Sequence, residues 1–213
     1  FLRQYIKEND ISIVITTSPP HNIHLIGHRL KALSPSLTWI AEFRDPWSQW
    51  GFLDNLMLST RSRKKHEKLE QLVLKTADAV TSITPFYVRQ FGQPGNRDVT
   101  LLTNGFDEQD FGNLKIQRPA QFTIRHIGIV NEKCNPRPFM EAVRALMKAD
   151  PDFAAHTRIE FIGEVHGDFR NDVEGIAELK RVTRFVKSIP HKQLIASYGS
   201  SSLLLLVLHG YKD

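Results

Sequence analysis

Residues 38–50 read TWIAEFRDPWSQW, an apolar run that ends abruptly in charged, rigid and aromatic side chains. The run up to Phe43 is typical of a buried β-strand, and an Arg-Asp pair, Pro46 and two tryptophans follow it at once. A purely structural loop needs only a turn former at this point. Because ligands of open α/β sheets bind beyond the carboxyl ends of the strands, we expect this segment to face a ligand cleft.

Strand-like and helix-like segments alternate on both sides of this stretch. The apolar, β-branched runs that predict strands lie at residues 11–17, 37–43, 79–84, 99–106, 122–130, 158–165, 181–189 and 201–208. Alternation on this scale predicts parallel sheets covered by helices on both faces. The polar stretch 111–121 is predicted to link a first domain, residues 1–110, to a second, residues 122–213.

Composition limits the classes of protein to which the chain can belong. It has 213 residues, a net charge of +5 and a sequence pI near 9.4, a mild bias that suits anionic partners. Cys134 is the only cysteine, so an internal disulfide is excluded. No apolar run has the length of a membrane span. The first residue is Phe1, not Met, and we expect the chain to be a piece of a longer protein.

The second half contains a loop suited to a diphosphate. NEKCN follows the predicted strand at residues 122–130, and Asn135 is predicted to be the N-cap of a helix with Pro136 at its first position. A helix N-terminus with Lys133 beside it can bind a diphosphate. In the alternative interpretation, Lys133 is a solvated loop lysine.

Arg44 and Asp45 also have two interpretations. In the structural one they pair with each other and cap the next segment, while Trp47 and Trp50 pack in the core. In the functional one Asp45 accepts a proton or hydrogen bond from a hydroxyl group, Arg44 faces a phosphate, and an indole stacks on a sugar or lipid.

Two further clusters are weaker indications of function. His21, His24 and His28 recur at i, i+3 and i+7, which places them on one helical face opposite Ile26 and Leu30, so we expect solvated histidines rather than a zinc site. A basic run in the predicted helix 55–77 suits anionic lipid or nucleic acid, but the interleaved Glu67 and Glu70 favour a solvated helix face. The run comprises Arg61, Arg63, Lys64, Lys65 and Lys68. No P-loop or dinucleotide-binding glycine motif is present.

Four stretches in order resemble the GT-B glycosyltransferases of glycosyltransferase family 4, in particular a bacterial branch with S-P-P and F-R-D-P-W motifs. These stretches are VITTSPPHNIHLIGHRL, WIAEFRDPW, LLTNGFDEQDF and RHIGIVNEKCNPRPFMEAVRAL, and RFVKSIPHKQLIASYGSSSLLLLVL follows them. The resemblance implies two Rossmann-like domains, with the nucleotide-sugar on the second and the acceptor on the first. It also implies transfer with retention of anomeric configuration, without a metal or other cofactor.

The resemblance assigns roles to individual residues. Arg44 and Asp45 take the position of a family histidine near the reacting sugar, and Lys133 matches the lysine that neutralises the donor diphosphate. The remaining predicted donor-binding residues are Gly128, Asn135 and Lys187, and the predicted acceptor-side residues are Ser18, Pro19, Pro20, Trp47, Thr84, Asn104 and Gly105. The arginine that usually follows the strand glycine is replaced by Ile129, which weakens the expected diphosphate site.

The sequence therefore predicts a glycosyltransferase that builds a bacterial surface polysaccharide or glycolipid from a nucleotide-sugar and a glycan or lipid-linked acceptor. We expect it to be cytoplasmic, in peripheral contact with the inner face of the membrane through the basic run, and not to bind nucleic acid. The family's glycine-rich loop and E-x7-E segment fall outside the chain, so this piece is expected to lack part of the donor grip. Two alternatives remain: a GT-B-type nucleotide-sugar epimerase and a non-catalytic nucleotide- or glycan-binding module.

Overall fold

The structure is a computed structural model that describes residues 1–49, 51–95 and 97–208. The chain divides into two compact units, Phe1–Phe106 and Asp107–Asp213. The predicted linker, residues 111–121, lies in the second unit, where the backbone N–H of Gln117 donates to the carbonyl oxygen of Gly199 over 2.7 Å. Trp50, which the structural interpretation of the Arg-Asp segment places in the core, lies outside the described residues.

The first unit contains a parallel sheet whose strands follow chain order. The strands are β1 (Ile13–Ser18), β2 (Thr38–Phe43), β3 (Ala79–Ser82) and β4 (Thr100–Leu101). The helices are α1 (Leu2–Glu8), α2 (His24–Leu33), α3 (Thr60–Thr76) and α4 (Pro85–Gly95), with 3-10 turns at His21–Ile23 and Gly51–Leu56.

The second unit contains another parallel sheet, in the order β7-β6-β5-β8. Its strands are β5 (Phe122–Ile127), β6 (Thr157–Ile162), β7 (Thr183–Val186) and β8 (Leu203–Leu204). The helices are α5 (Glu108–Phe111), α6 (Arg137–Ala149), α7 (Pro151–His156), α8 (Gly167–Glu174), α9 (Ala177–Val182) and α10 (His191–Gly199). The prediction of parallel α/β sheets is therefore confirmed in both units.

Strand order decides which sheet faces are covered. Parallel crossovers are right-handed, so three successive crossovers in the same direction place all their helices on one face. In the first unit the core lies on that face, around Trp39, Phe43 and Val80, while Ile13 and Ile15 on the opposite face are 55% and 63% exposed. The expectation that helices cover both faces is thus wrong for the described part of the first sheet.

In the second unit the chain reverses direction across the sheet. The crossovers from β5 to β7 place α6–α9 on one face, over a core that includes Ile159 and Phe161. The return to β8 places α10 on the other face, where Arg125 of β5 donates from Nη1 to the carbonyl oxygen of Ser197 over 2.9 Å. Both faces of this sheet are covered as a result.

Helix α2 packs with a different face from the one predicted. The buried residues of α2 are His24, Gly27 and Leu30, whereas Ile26 is 42% exposed. A Cβ atom on Gly27 would lie 2.1 Å from Nε1 of Trp39, so only glycine admits the indole there. The indole fixes the rotation of the helix and turns His24 inward, and the expectation of a solvated histidine face is wrong for His21 and His24.

The basic helix starts later than predicted. Residues 55–59 precede α3, which begins at Thr60 because the hydroxyl of Ser59 accepts from the backbone N–H of Ser62 over 3.3 Å and caps the helix. None of the helices in the described part of the chain is long and apolar enough to cross a membrane.

Candidate functional site

The carboxyl ends of the first three strands bring several predicted residues to one edge of the first sheet. Ser18 pairs in register with Phe43, and Phe43 with Ser82, so these strands end together. Pro19 and Pro20, Arg44 and Asp45, and Thr84 therefore leave the sheet at the same edge. Asn104 and Gly105 follow β4 and are exposed.

A histidine that sequence reasoning placed among solvated side chains connects two of these loops. His21 is buried and donates from Nε2 to the backbone carbonyl oxygen of Asp45 over 3.2 Å. Its ring stacks on Trp47 with centroids 6.0 Å apart. Burial lowers the pKa of His21, although the bond to Asp45 and the nearby carboxylates act in the opposite direction. The neutral ring of His21 therefore donates the hydrogen bond that holds the Asp45 loop. The sequence signal for this role is the position of His21 directly after the S-P-P motif, at the end of β1.

Trp47 is part of the protein core. Its side chain is 3% exposed, and the indole N–H donates to Nδ1 of His66 over 2.8 Å. The backbone amides of Trp47 and Ser48 donate to Oε2 of Glu70 over 2.9 and 2.8 Å, and the hydroxyl of Ser48 donates to Oε1. The structure thus supports the interpretation in which Trp47 packs in the core. Arg44 is exposed and Asp45 half-buried, so both remain accessible at the edge.

The second unit offers a topological switch point between β5 and β8. The chain leaves β5 towards β6 and returns past it to β8, so the two connections diverge at the carboxyl end of β5. Open α/β sheets bind their ligands at such a point. The segment at that end carries Gly128, Lys133 and Asn135, the predicted donor-binding residues.

Two glycines lie at this edge, where the backbone after β5 closely approaches the backbone after β6. Gly128 and Gly163, which follow β5 and β6, have φ values of 150° and 132°. A Cβ atom on Gly163 would lie 2.1 Å from the carbonyl oxygen of Gly128. The N–H of Gly128 donates to Ile162 and that of Gly163 to Val186, over 3.0 and 2.9 Å. Glycine at position 163 is therefore a steric requirement, and at position 128 it is favoured by the positive φ.

The loop after Gly128 is ordered by its own amide side chains. Oδ1 of Asn131 accepts from the backbone N–H groups of Lys133 and Cys134 over 2.9 and 2.8 Å. Oδ1 of Asn135 accepts from the N–H of Arg137 over 3.0 Å. The N-cap of α6 is Pro136 and the helix begins at Arg137, so the predicted helix start with Asn135 as N-cap and Pro136 as first helical residue is wrong by one position. Lys133 is exposed on this loop at the N-terminal end of α6.

A groove of about 700 Å³ continues the same edge past β6 and β7. Its lining comprises Gly163, Glu164, Val165, Arg170, Phe185, Val186, Lys187 and Ser188. Gly163 borders both the groove and Gly128, and a bridge between Val130 and Val165 joins the two loops. The predicted residues Gly128 and Lys187 thus belong to one continuous edge of the second sheet, close to the loop that carries Lys133.

The groove offers cations and one aromatic ring. The guanidinium of Arg170 lies 5.3 Å from the ring centre of Phe185, and Lys187 is exposed at the groove. Arg170 also pairs with Glu174 over 2.8 Å and Glu164 lines the same groove, so the ring of Phe185 and the ammonium of Lys187 are what the groove offers a flat, anionic ligand. Among the described residues, no group of His, Cys, Asp and Glu side chains could hold a metal ion.

The sequence matches no family model and no curated protein. The fold, however, is similar to those of several solved glycosyltransferase structures. Sucrose-phosphate synthase from Thermosynechococcus elongatus has a TM-score of 0.61 at 15% identity, over 95% of this chain and 52% of that one. A UDP-forming α,α-trehalose-phosphate synthase from Burkholderia xenovorans has a TM-score of 0.61 at 14% identity, over 93% and 54%.

TarM of S. aureus, in a complex with Fondaparinux, α-GlcNAc-glycerol and UDP, has a TM-score of 0.60 at 12% identity, over 95% of this chain and 38% of TarM. These likenesses show the fold, a pair of Rossmann-like α/β units of the GT-B type. The chain spans about half the length of the two synthases.

Proposed function

We propose that this chain belongs to a glycosyltransferase that moves a sugar from a nucleotide-sugar to a glycan or lipid-linked acceptor. The observation that carries the proposal is the edge of the second sheet. A switch point, two glycines with positive φ and the Lys133 loop lie there, next to a groove that includes Lys187. Ligands of open α/β sheets bind at such switch points. The GT-B fold of the solved glycosyltransferases supports the same class of donor.

In the proposed reaction, the bond between the anomeric carbon and the diphosphate oxygen breaks, and the diphosphate leaves with the electron pair. Lys133 and the N-terminal end of α6 stabilise the negative charge that grows on it. The acceptor oxygen bonds to the anomeric carbon with retention of configuration. Its proton passes to Asp45 or, where Asp45 only orients the hydroxyl, to the departing diphosphate. Arg44 faces a phosphate, and Lys187 lies close to the base. The transfer needs no metal.

The biological setting belongs to the same proposal. We place the protein in family 4, in the synthesis of a bacterial surface polysaccharide or glycolipid on the cytoplasmic side of the membrane. The basic run that begins at Arg61 is proposed to contact the membrane peripherally, as expected for an enzyme with a lipid-linked acceptor.

Thermal unfolding with UDP, GDP, ADP and CMP tests the donor site. A ligand at 100 times its dissociation constant stabilises the native state by about 2.7 kcal/mol, a shift in unfolding temperature of roughly 10–20 °C for a unit of about 100 residues. We expect one nucleoside diphosphate to raise the unfolding temperature, Lys133→Ala to abolish that rise, and Lys148→Ala at the opposite end of α6 to preserve it. An equal response in all three proteins would refute the role of Lys133.

A second function is favoured by one observation. Ile129, which stands where the family carries an arginine, is 61% exposed directly after Gly128. An apolar side chain there weakens a diphosphate site and favours a nucleotide- or glycan-binding module without turnover. Product analysis with donor and acceptor separates the two functions, and product formation without an acceptor identifies an epimerase.

A further inference from the structure

Four cations form a continuous stripe on α3. Arg61, Lys64, Lys65 and Lys68 recur at i, i+3, i+4 and i+7, the spacing of a single helix face. All four side chains are exposed, and they line an open groove of about 660 Å³ with Thr60 and Ser62. Among the described residues, none of the ion pairs involves a member of this cationic stripe.

In the sequence, the interleaved Glu67 and Glu70 favoured an ordinary solvated face for this helix, and the structure changes the part played by Glu70. Glu70, one of the two acids interleaved with the cations in the sequence, points inward and is 6% exposed, bound to Trp47 and Ser48. Arg63 lies off the stripe and pairs with Asp54 over 2.8 Å. Glu67 is therefore the one carboxylate of the segment 60–70 that is exposed beside the stripe.

The charge of the chain is concentrated in the same unit. The first unit has thirteen Lys and Arg residues against nine Asp and Glu, which gives four of the five net positive charges. The long-range attraction for an anionic surface therefore comes from the unit that carries the stripe.

Apolar side chains precede the stripe in the chain. Leu56 and Met57 are 61% and 90% exposed and lie just before α3, which begins at Thr60. Met57 has a φ of 47°, and its N–H donates to the carbonyl oxygen of Asp54 over 3.2 Å. The segment that leads into α3 thus exposes two aliphatic side chains shortly before the first cation of the stripe.

We propose that the cationic stripe and the Leu56–Met57 pair form one surface that docks onto anionic phospholipid, with the cations on the headgroups and the pair among the acyl chains. Apolar groups beside cations are the combination that interfacial lipid binding uses. The phosphates of a nucleic acid would also bind the cations, but a nucleic acid offers no apolar phase in which the two aliphatic side chains could be buried. The inference rests on the proposed function only for its membrane setting, because the surface belongs to the first unit and the donor edge to the second.

Flotation of the 213-residue chain with vesicles tests the surface. Vesicles of phosphatidylglycerol and phosphatidylcholine are compared with pure phosphatidylcholine, and a DNA duplex serves as a separate probe. The stripe variant carries Lys64→Gln, Lys65→Gln and Lys68→Gln. Its matched control carries Lys148→Gln, Lys180→Gln and Lys192→Gln, three exposed lysines of the second unit with the same change in charge.

We expect the chain to bind the anionic vesicles, with little binding to pure phosphatidylcholine. The stripe variant should bind them on the order of 100-fold more weakly, about fivefold per cation, and the control variant less than threefold. Met57→Asn, whose side chain tolerates the left-handed backbone, should weaken vesicle binding several-fold without changing its salt dependence.

Three outcomes would overturn the inference: equal weakening in the stripe and control variants, no binding to anionic vesicles, or tight duplex binding that the stripe variant loses while vesicles are ignored. The donor proposal stands or falls separately, because nucleotide-induced thermal stabilisation does not depend on the stripe. A chain that binds a nucleotide but no vesicles would refute only the membrane surface. The reverse result would refute only the donor site.

Discussion

The ring of His21 holds the backbone of Asp45 by a hydrogen bond of 3.2 Å from Nε2 to the carbonyl oxygen. This contact joins the loops after β1 and β2 at the edge that carries the predicted acceptor-side residues. Since His21 is buried and stacked on Trp47, it positions the Asp45 loop from within the protein.

Loss of this contact should loosen the loop. We expect His21→Ala to lower the free energy of unfolding of the first unit by about 1–3 kcal/mol, because it leaves a carbonyl group without its donor. Amide exchange at residues 44–48 should become faster. His28→Ala is the control, since His28 bonds to the hydroxyl of Thr76 and not to the loop. Equal exchange in both variants would contradict the positioning role.

A second histidine should make the first unit sensitive to acid. His24 is fully buried, and burial, with a smaller contribution from His21, lowers its pKa to about 4. Trp39 donates to the hydroxyl of Thr16, which leaves that hydroxyl to donate to Nδ1 of His24 over 2.8 Å. The folded state thus holds the neutral ring.

The unfolded chain binds a proton at His24 below its ordinary pKa of 6.5, while the folded chain does so only near 4. The stability contributed by the neutral ring is therefore complete above pH 6.5 and is lost as the pH falls towards 4, by about 3 kcal/mol at most. Denaturant unfolding between pH 4 and 7 measures this slope. His24→Gln should flatten it, and a slope that is unchanged in the variant would assign the acid sensitivity to other groups.

The features that the sequence predicted well are those set by local pattern. β-branched runs such as Ile13–Ser18 and Phe122–Ile127 form parallel strands, and their carboxyl ends carry the polar loops. A helix was expected directly after Asn135, and α6 does begin there, one residue later than predicted, with the side chain of Asn135 bound to the backbone amide of Arg137. These features depend on neighbouring residues in the chain, which a sequence displays directly.

The features that the sequence did not predict depend on tertiary contacts. The rotation of α2 follows from the fit of Trp39 against Gly27, two residues that periodicity treats separately. The burial of Glu70 follows from amide donors in the Trp47 loop, 22 and 23 residues away. The open face of the first sheet follows from its strand order. None of these relationships leaves a local pattern in the sequence.

The buried ion pair of the second sheet should be essential to its stability. Arg125 donates from Nε to Glu160 over 2.6 Å, and its Nη1 binds Ser200 and Ser201 beside α10. Burial alone would raise the pKa of Glu160, but Arg125 and Arg158 lower it below its ordinary value.

Arg125→Met leaves the Glu160 carboxylate buried without this partner, so we expect the free energy of unfolding of the second unit to fall by about 3–5 kcal/mol. Adding Glu160→Leu should recover part of that loss, because the uncompensated charge disappears. Denaturant unfolding of both variants measures the coupling. Purely additive effects of the two substitutions would show that the pair does not act as a unit.

The glycine edge of the second sheet gives the sharpest steric test. Gly163→Ala would place a methyl group 2.1 Å from the carbonyl oxygen of Gly128, at a φ of 132° that side chains rarely adopt. Since the clash is with backbone, the end of β5 must move, and we expect the second unit to lose about 2–4 kcal/mol of stability. Gly167→Ala at the start of α8 meets nothing within 4 Å and should be neutral or stabilising by about 0.4–1 kcal/mol.

Chemical denaturation of the two variants, with the nucleotide-induced thermal shift measured in each, links this geometry to the donor site. If Gly163→Ala folds as stably as Gly167→Ala, the close approach of the two loops is not part of the native structure.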